Sequence, residues 1–158
     1  MKFRGRNIIG NSIEFPQMIL NLYGQTKQNN LYFELPNIIL DRRVHYQVGV
    51  HRVYLDIMSS SEIVESFRTH DLLMVTSNLV DRSASNPQQA LVYFDVSKRD
   101  KFLQSYCSRG VIFHPLQMHE LANASFNICY VNGEPAQAIY RQIFLQIEIT
   151  RSQSYGWI

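Results

Sequence analysis

The stretch YQVGVHRVYLDI, residues 46–57, decides the fold class. Tyr46, Val48 and Val50 alternate with polar or small residues, the period of a strand with one buried face. Past His51-Arg52 the parity flips, and Val53, Leu55 and Ile57 carry the apolar side. One extra residue near His51-Arg52 keeps both halves facing the same core, which is what a β-bulge does.

Outward from this strand the pattern repeats. LYFEL (31–35) reads as a strand closed by Pro36, and NIIL (37–40) resumes it before the turn at Asp41-Arg42-Arg43. SSSEIVESF (59–67) has a Ser cap, early acids, and Ile63 and Phe67 at helical spacing, which predicts one short helix. DLLMVTSNLV (71–80) and ALVYFDV (90–96) read as strands joined by the turn-rich RSASNPQQ, and SKRDK (97–101) as a charged turn. SYCSRGVIF (105–113) is a further strand and HPLQMHEL (114–121) a loop. SFNICYV (125–131) alternates up to Asn132-Gly133, the strongest short hairpin signal in the chain. Its expected partner is AIYRQIFLQIEIT (138–150), with Ile143, Leu145, Ile147 and Ile149 on one side.

Seven or eight strands at irregular spacing, with at most one short helix, predict an all-β, two-sheet antiparallel sandwich of jelly-roll type. Val48, Val50, Val53, Leu55, Phe94, Phe126, Ile128, Leu145 and Ile147 are its expected core. Residues 1–30 show scattered apolar anchors without a clean period, with QTKQNN (25–30) as a polar loop. They are read as an N-terminal arm or edge elements, 31–150 as the single jelly-roll domain, and 151–158 as a C-terminal tail.

Composition agrees. The chain has 158 residues, 46% hydrophobic and 18% charged, which fits one domain with a real core and excludes a disordered, highly charged chain. Ile, Val, Tyr, Phe, Thr and Trp supply 49 residues, favouring strands. Arg outnumbers Lys by 11 to 4, a bias suited to contact surfaces. A net charge of +2 is too small to indicate nucleic acid by itself. No apolar run is long enough for a membrane span. MKFRGRNIIGNSIEF has no continuous apolar segment after its basic residues, so the expectation is synthesis in the cytoplasm or nucleus without a signal peptide.

The search for chemistry is short. His45, His51, His70, His114 and His119 form no metal-ligand spacing. Cys107 and Cys129 lie in strand patterns, where cysteine acts as a small buried hydrophobe. There is no nucleophile elbow and no Gly-rich phosphate loop. The expectation is therefore a non-enzyme with no catalytic, cofactor or metal site. What stands out is the two ends. Lys2, Arg4 and Arg6 make the N-terminal arm basic, and Phe3, Ile8, Ile9, Tyr155 and Trp157 are apolar groups outside the expected sandwich. These are the candidate assembly contacts.

Four pieces stand in order: LYFELPNIIL, HYQVGVHRVYLDI, LLMVTSNLVDRSASNPQQALVYFDV and FHPLQMHELANASFNICYVNGEPAQAIYRQIFLQIEI. This order resembles the small jelly-roll capsid proteins of Polinton/Maverick elements, adintoviruses and related DNA viruses, over about residues 31–150. The resemblance implies a viral or virus-derived structural subunit of the virion. In a chain this short it implies a single jelly roll with a penton-like or minor capsid role, and it brings no catalytic residues. The implied partners are further copies of the chain, in pentamers or trimers, and other capsid subunits, with weak nucleic-acid contact through the basic arm. The alternative is a non-enzymatic jelly-roll binding module that recognises carbohydrate or protein through its loops.

Overall fold

The computed structural model describes residues 8–9, 12–13, 17–58 and 70–152, the first two pairs by backbone alone. The expected helix at 59–67 lies outside the described residues.

The bulged strand is the centre of the molecule. It runs as β6 over Tyr46–Ile57, pairing along its length with β12, Tyr140–Arg151. Gln146 pairs with Arg52 and Ile147 with Val50, so His51 is the extra residue. The bulge lets Val48, Val50, Val53 and Leu55 all point inward despite the parity change. On its other edge β12 pairs with β3, Gln17–Lys27, which in turn pairs with β4, Asn30–Glu34. The far edge of β6 takes β9, Leu103–Cys107, and the two-residue β10, His114–Pro115. The second sheet is β11-β7-β8, formed by Phe126–Tyr130, Leu72–Ser77 and Ala90–Asp95.

The short β5, Ile39–Leu40, lies outside both sheets, beside the segment that leads into β11. There Leu40 N–H donates to His119 O at 2.8 Å and Leu121 N–H to Ile38 O at 3.0 Å. In chain order, β3, β6, β7, β8, β9, β11 and β12 take the places of the first and the third to eighth strands of a jelly roll, whereas β5, in the second place, pairs with the Ser12–Ile13 backbone and not with β11. The first, eighth, third and sixth lie side by side in one sheet, and the seventh, fourth and fifth in the other. All the expected core residues are buried between these sheets. The described helix is one 3-10 turn, Leu121–Asn123, and among the described residues no helix is long and apolar enough to cross a membrane.

Several expectations are corrected. Residues 17–27 are an interior strand of the large sheet, not an arm or edge element. Met18, Leu20 and Leu22 face inward, but Ile19 and Tyr23 on the outer side blur the alternation. The polar run 25–30 is the end of β3, a two-residue turn and the start of β4. Gln28 and Asn29 have φ of 50° and 67°, the left-handed pair of a type I′ hairpin.

Asn132-Gly133 does reverse the chain, with Gly133 at φ 91°. Tyr130 N–H donates to Glu134 O, and Gly133 N–H to Tyr130 O, both at 2.8 Å. The returning chain stays beside β11 only to Ala136 and then crosses to the other sheet. Both edges of β12 are taken by β3 and β6, so none remains for β11. The expected strand at 105–113 ends at Cys107, and 114–121 contains β10 and the start of the 3-10 turn.

Where β5 ends, Asp41 anchors the turn into β6. Arg43 donates from Nε and Nη2 to its two carboxylate oxygens at 3.0 and 2.8 Å, and from its backbone N–H at 2.9 Å. These hydrogen bonds, with help from the charge of Arg151, hold the Asp41 pKa down to about 2. The ionised form thus favours the folded state. That contribution is complete above the ordinary carboxylate range and is lost as pH falls from about 4 towards 2. Asp41→Asn is expected to flatten this acid limb in melting temperature measured against pH. In the core, Leu145→Ala is expected to cost about 2–5 kcal/mol in urea unfolding, because the cavity lies where both sheets meet.

Candidate functional site

The outer face of the large sheet is built from the residues that alternate with the core. Strand register sets them in rows running across the strands. The central row is Glu34 on β4, Tyr23 on β3, Phe144 on β12, Tyr54 on β6 and Ser105 on β9. On one side of it lie Tyr32, Gln25, Gln142, Asp56 and Leu103, and on the other Asn21, Gln146, Arg52 and Cys107.

This face carries aromatics in water. Tyr23 is 49% exposed, Tyr32 47% and Tyr54 37%. The Tyr23 and Phe144 rings pack at 5.4 Å between centroids, tilted by 46°. Lys27 Nζ sits 4.3 Å over the Tyr32 ring. Neutral amides flank the rings, and Gln146 Nε2 donates to Asn21 Oδ1 at 3.1 Å. Arg52 and Asp56 are the charges on the β6 column, and neither forms an ion pair among the described residues.

The bulge closes one end of the face. His51 Nε2 lies 2.6 Å from Glu148 Oε1, and Ser108 N–H donates to His51 O at 2.8 Å. The segment after β9 then crosses over Gly49, where a Cβ would overlap Val111 and the Ile112 carbonyl. Glycine is needed here for close approach of two backbones. Ile112 stands on top of this strap, 73% exposed.

A second feature is a groove of about 870 Å³ whose lining includes Thr26, Leu31, Asn127, Cys129, Gln137 and Tyr140. Burial pushes the Cys129 thiol up in pKa, so it stays protonated at neutral pH and is a poor nucleophile. Burial likewise raises the Tyr140 phenol, whose hydroxyl donates to Ala136 O at 2.6 Å. Among the described residues no cluster of His, Cys, Asp and Glu could hold a metal ion.

The contacts expected at the chain ends are placed only in part. Lys2, Phe3, Arg4, Arg6, Tyr155 and Trp157 lie outside the described residues. The Ile8–Ile9 backbone forms β1, which pairs with β2, Ser12–Ile13, and β2 runs parallel to β5. Cys107, expected in the core, is exposed, because Gln104 and Tyr106 take the inward positions of β9. The aromatic row was missed by the sequence reading. Its signal is there: Tyr54 and Phe144 stand out of phase between Val53 and Leu55 and between Ile143 and Leu145. No family model, no curated protein and no solved structure matches this chain.

Since Tyr23 and Tyr54 are half in water, they contribute little to folding. Tyr23→Ser and Tyr54→Ser are each expected to change unfolding free energy by less than about 1.5 kcal/mol, measured by urea titration.

Proposed function

We propose that the protein is a non-enzymatic structural subunit, viral or virus-derived, that assembles with copies of itself into a capsid-like shell of the virion. The observation that carries this is the aromatic row on the outer face of the large sheet. A monomer has little reason to keep Tyr23, Tyr54 and Tyr32 half exposed together on one face, and tyrosine is enriched where proteins meet. The jelly-roll strand order and the resemblance to small capsid proteins support the same reading, although the fold alone hosts many functions.

In this reading the sheet face is the principal contact. The terminal segments add to it, with Phe3, Ile8, Ile9, Tyr155 and Trp157 reaching neighbouring subunits. Lys2, Arg4 and Arg6 meet acids of a neighbour or packaged nucleic acid. Other capsid subunits are further partners.

Sedimentation velocity over a concentration series tests this. The full chain is expected to form discrete oligomers, and the double variant Tyr23→Ser/Tyr54→Ser to stay folded by circular dichroism while dissociating at least tenfold more readily. A full chain that remains monomeric at every concentration, alone and with co-expressed capsid subunits, defeats the proposal.

A second reading is favoured by the amides. Rings flanked by Gln25, Gln142, Gln146 and Asn21, with Glu34 and Arg141 beside them, suit a polyhydroxyl ligand, since an amide both donates to and accepts from hydroxyls. This is the carbohydrate-binding module, with the ligand on the sheet rather than on loops. Tyrosine fluorescence titrated with neutral oligosaccharides separates it from the first.

A further inference from the structure

We infer that the outer face of the large sheet is self-complementary, and that two copies of this chain pack face to face about a two-fold axis lying along the aromatic row. The inference rests on the self-association proposed above and names its geometry.

The register carries the argument. On β6 the outward residues run Asp56, Tyr54, Arg52; on β12, Gln142, Phe144, Gln146; and on β3, Gln25, Tyr23, Asn21. Outward neighbours on one strand are about 6.6 Å apart. Rotation by 180° about the line through Tyr23, Phe144 and Tyr54 lays each aromatic on its own copy. It also exchanges the two flanking rows. Asp56 of one copy then meets Arg52 of the other, twice in the dimer. Gln142 meets Gln146, and Gln25 meets Asn21. Amide meets amide and acid meets base, so neither charge in the two rows flanking the aromatics is left alone.

The alternative in-plane axis, along β12, lacks this match. It sets Asp56 against Gln25 and Arg52 against Asn21, leaving both charges without an opposite charge. Only the axis along the row pairs them.

Other features agree. Neither Arg52 nor Asp56 spends its charge within the chain among the described residues. Asn21 and Gln146 share one hydrogen bond, which leaves the Asn21 NH2 and the Gln146 carbonyl available to the facing amides. Leu103 of one copy comes over the exposed Cys107 of the other. Glu34 lies in the same row and so faces its own copy, but it is exposed on the edge strand, where both carboxylates stay in water at the rim. An axis across the strands keeps the two sheets aligned, the arrangement in which sheets pack face to face about 10 Å apart. The face is five strands wide at about 4.8 Å each; β3, β12 and β6 run about 26 Å clear of the strap over Gly49, and the short β4 and β9 about 17 Å. That is about 540 Å² in projection, at the small end for a specific interface of roughly 800 Å² per partner.

Charge exchange on full-length protein is the test. The Arg52→Asp chain carries two acids on the β6 column and the Asp56→Arg chain two bases. Each alone is expected to self-associate at least tenfold more weakly than wild type in sedimentation velocity, with unchanged circular dichroism. Mixed, they are expected to form a heterodimer with near wild-type affinity, because both ion pairs are regained with reversed polarity. The double variant Arg52→Asp/Asp56→Arg on one chain is expected to regain the homodimer. If wild type and both single variants self-associate alike, the contact lies elsewhere and this geometry fails while the assembly reading stands. If the single variants weaken but neither the mixture nor the double variant recovers, the two-fold pairing is wrong. If wild type never self-associates, both readings fall together.

Discussion

The bulge at His51 is the constraint on which the rest of the molecule depends. A strand as long as β6 must present apolar side chains to one core over its whole length, yet its apolar positions change parity in the middle. Without the extra residue, either Val48 and Val50 or Val53 and Leu55 would point into water. With it, β6 stays in register with β12 on both sides of the bulge, and the inward stripe of β12 meets an unbroken apolar surface. The same residue carries the His51–Glu148 contact on the outer face, beside the strap that crosses Gly49.

Pairing then propagates outward from this strand pair. With β6 on one edge, β12 has a single free edge, and β3 takes it. That leaves β11 to the second sheet and makes the turn at Asn132-Gly133 a bridge between layers. The jelly-roll order follows from this competition for the edges of β12. It also determines which outward residues become neighbours. Tyr23, Phe144 and Tyr54 are far apart in sequence and form one row because β3, β12 and β6 lie side by side. The functional reading thus depends on strand order as much as on residue type.

Much of the fold was legible. The bulge, the limits of β6, the core positions from Val48 to Ile147 and the two-sheet antiparallel class all followed from alternation, since a period of two is a local property of the chain. The legible part ended where inward and outward residues had the same character. In β3, Ile19 and Tyr23 are apolar and exposed, so Met18, Leu20 and Leu22 no longer stood out as a stripe. The Gln28-Asn29 turn lacks a glycine, and its left-handed pair is held by the strands it joins.

The candidate site was less legible, for a related reason. The sequence by itself determined that these strands exist, which side of most of them is buried, and that aromatic residues sit out of phase on β6 and β12. Alternation is encoded in neighbouring residues and survives any arrangement of strands. Only the tertiary structure decided which strands are adjacent, that Asn132-Gly133 leads from one sheet to the other, and that Arg52 and Asp56 flank an aromatic row. Adjacency depends on which partner wins each strand edge, and that competition joins segments more than a hundred residues apart, such as Asn21 with Gln146.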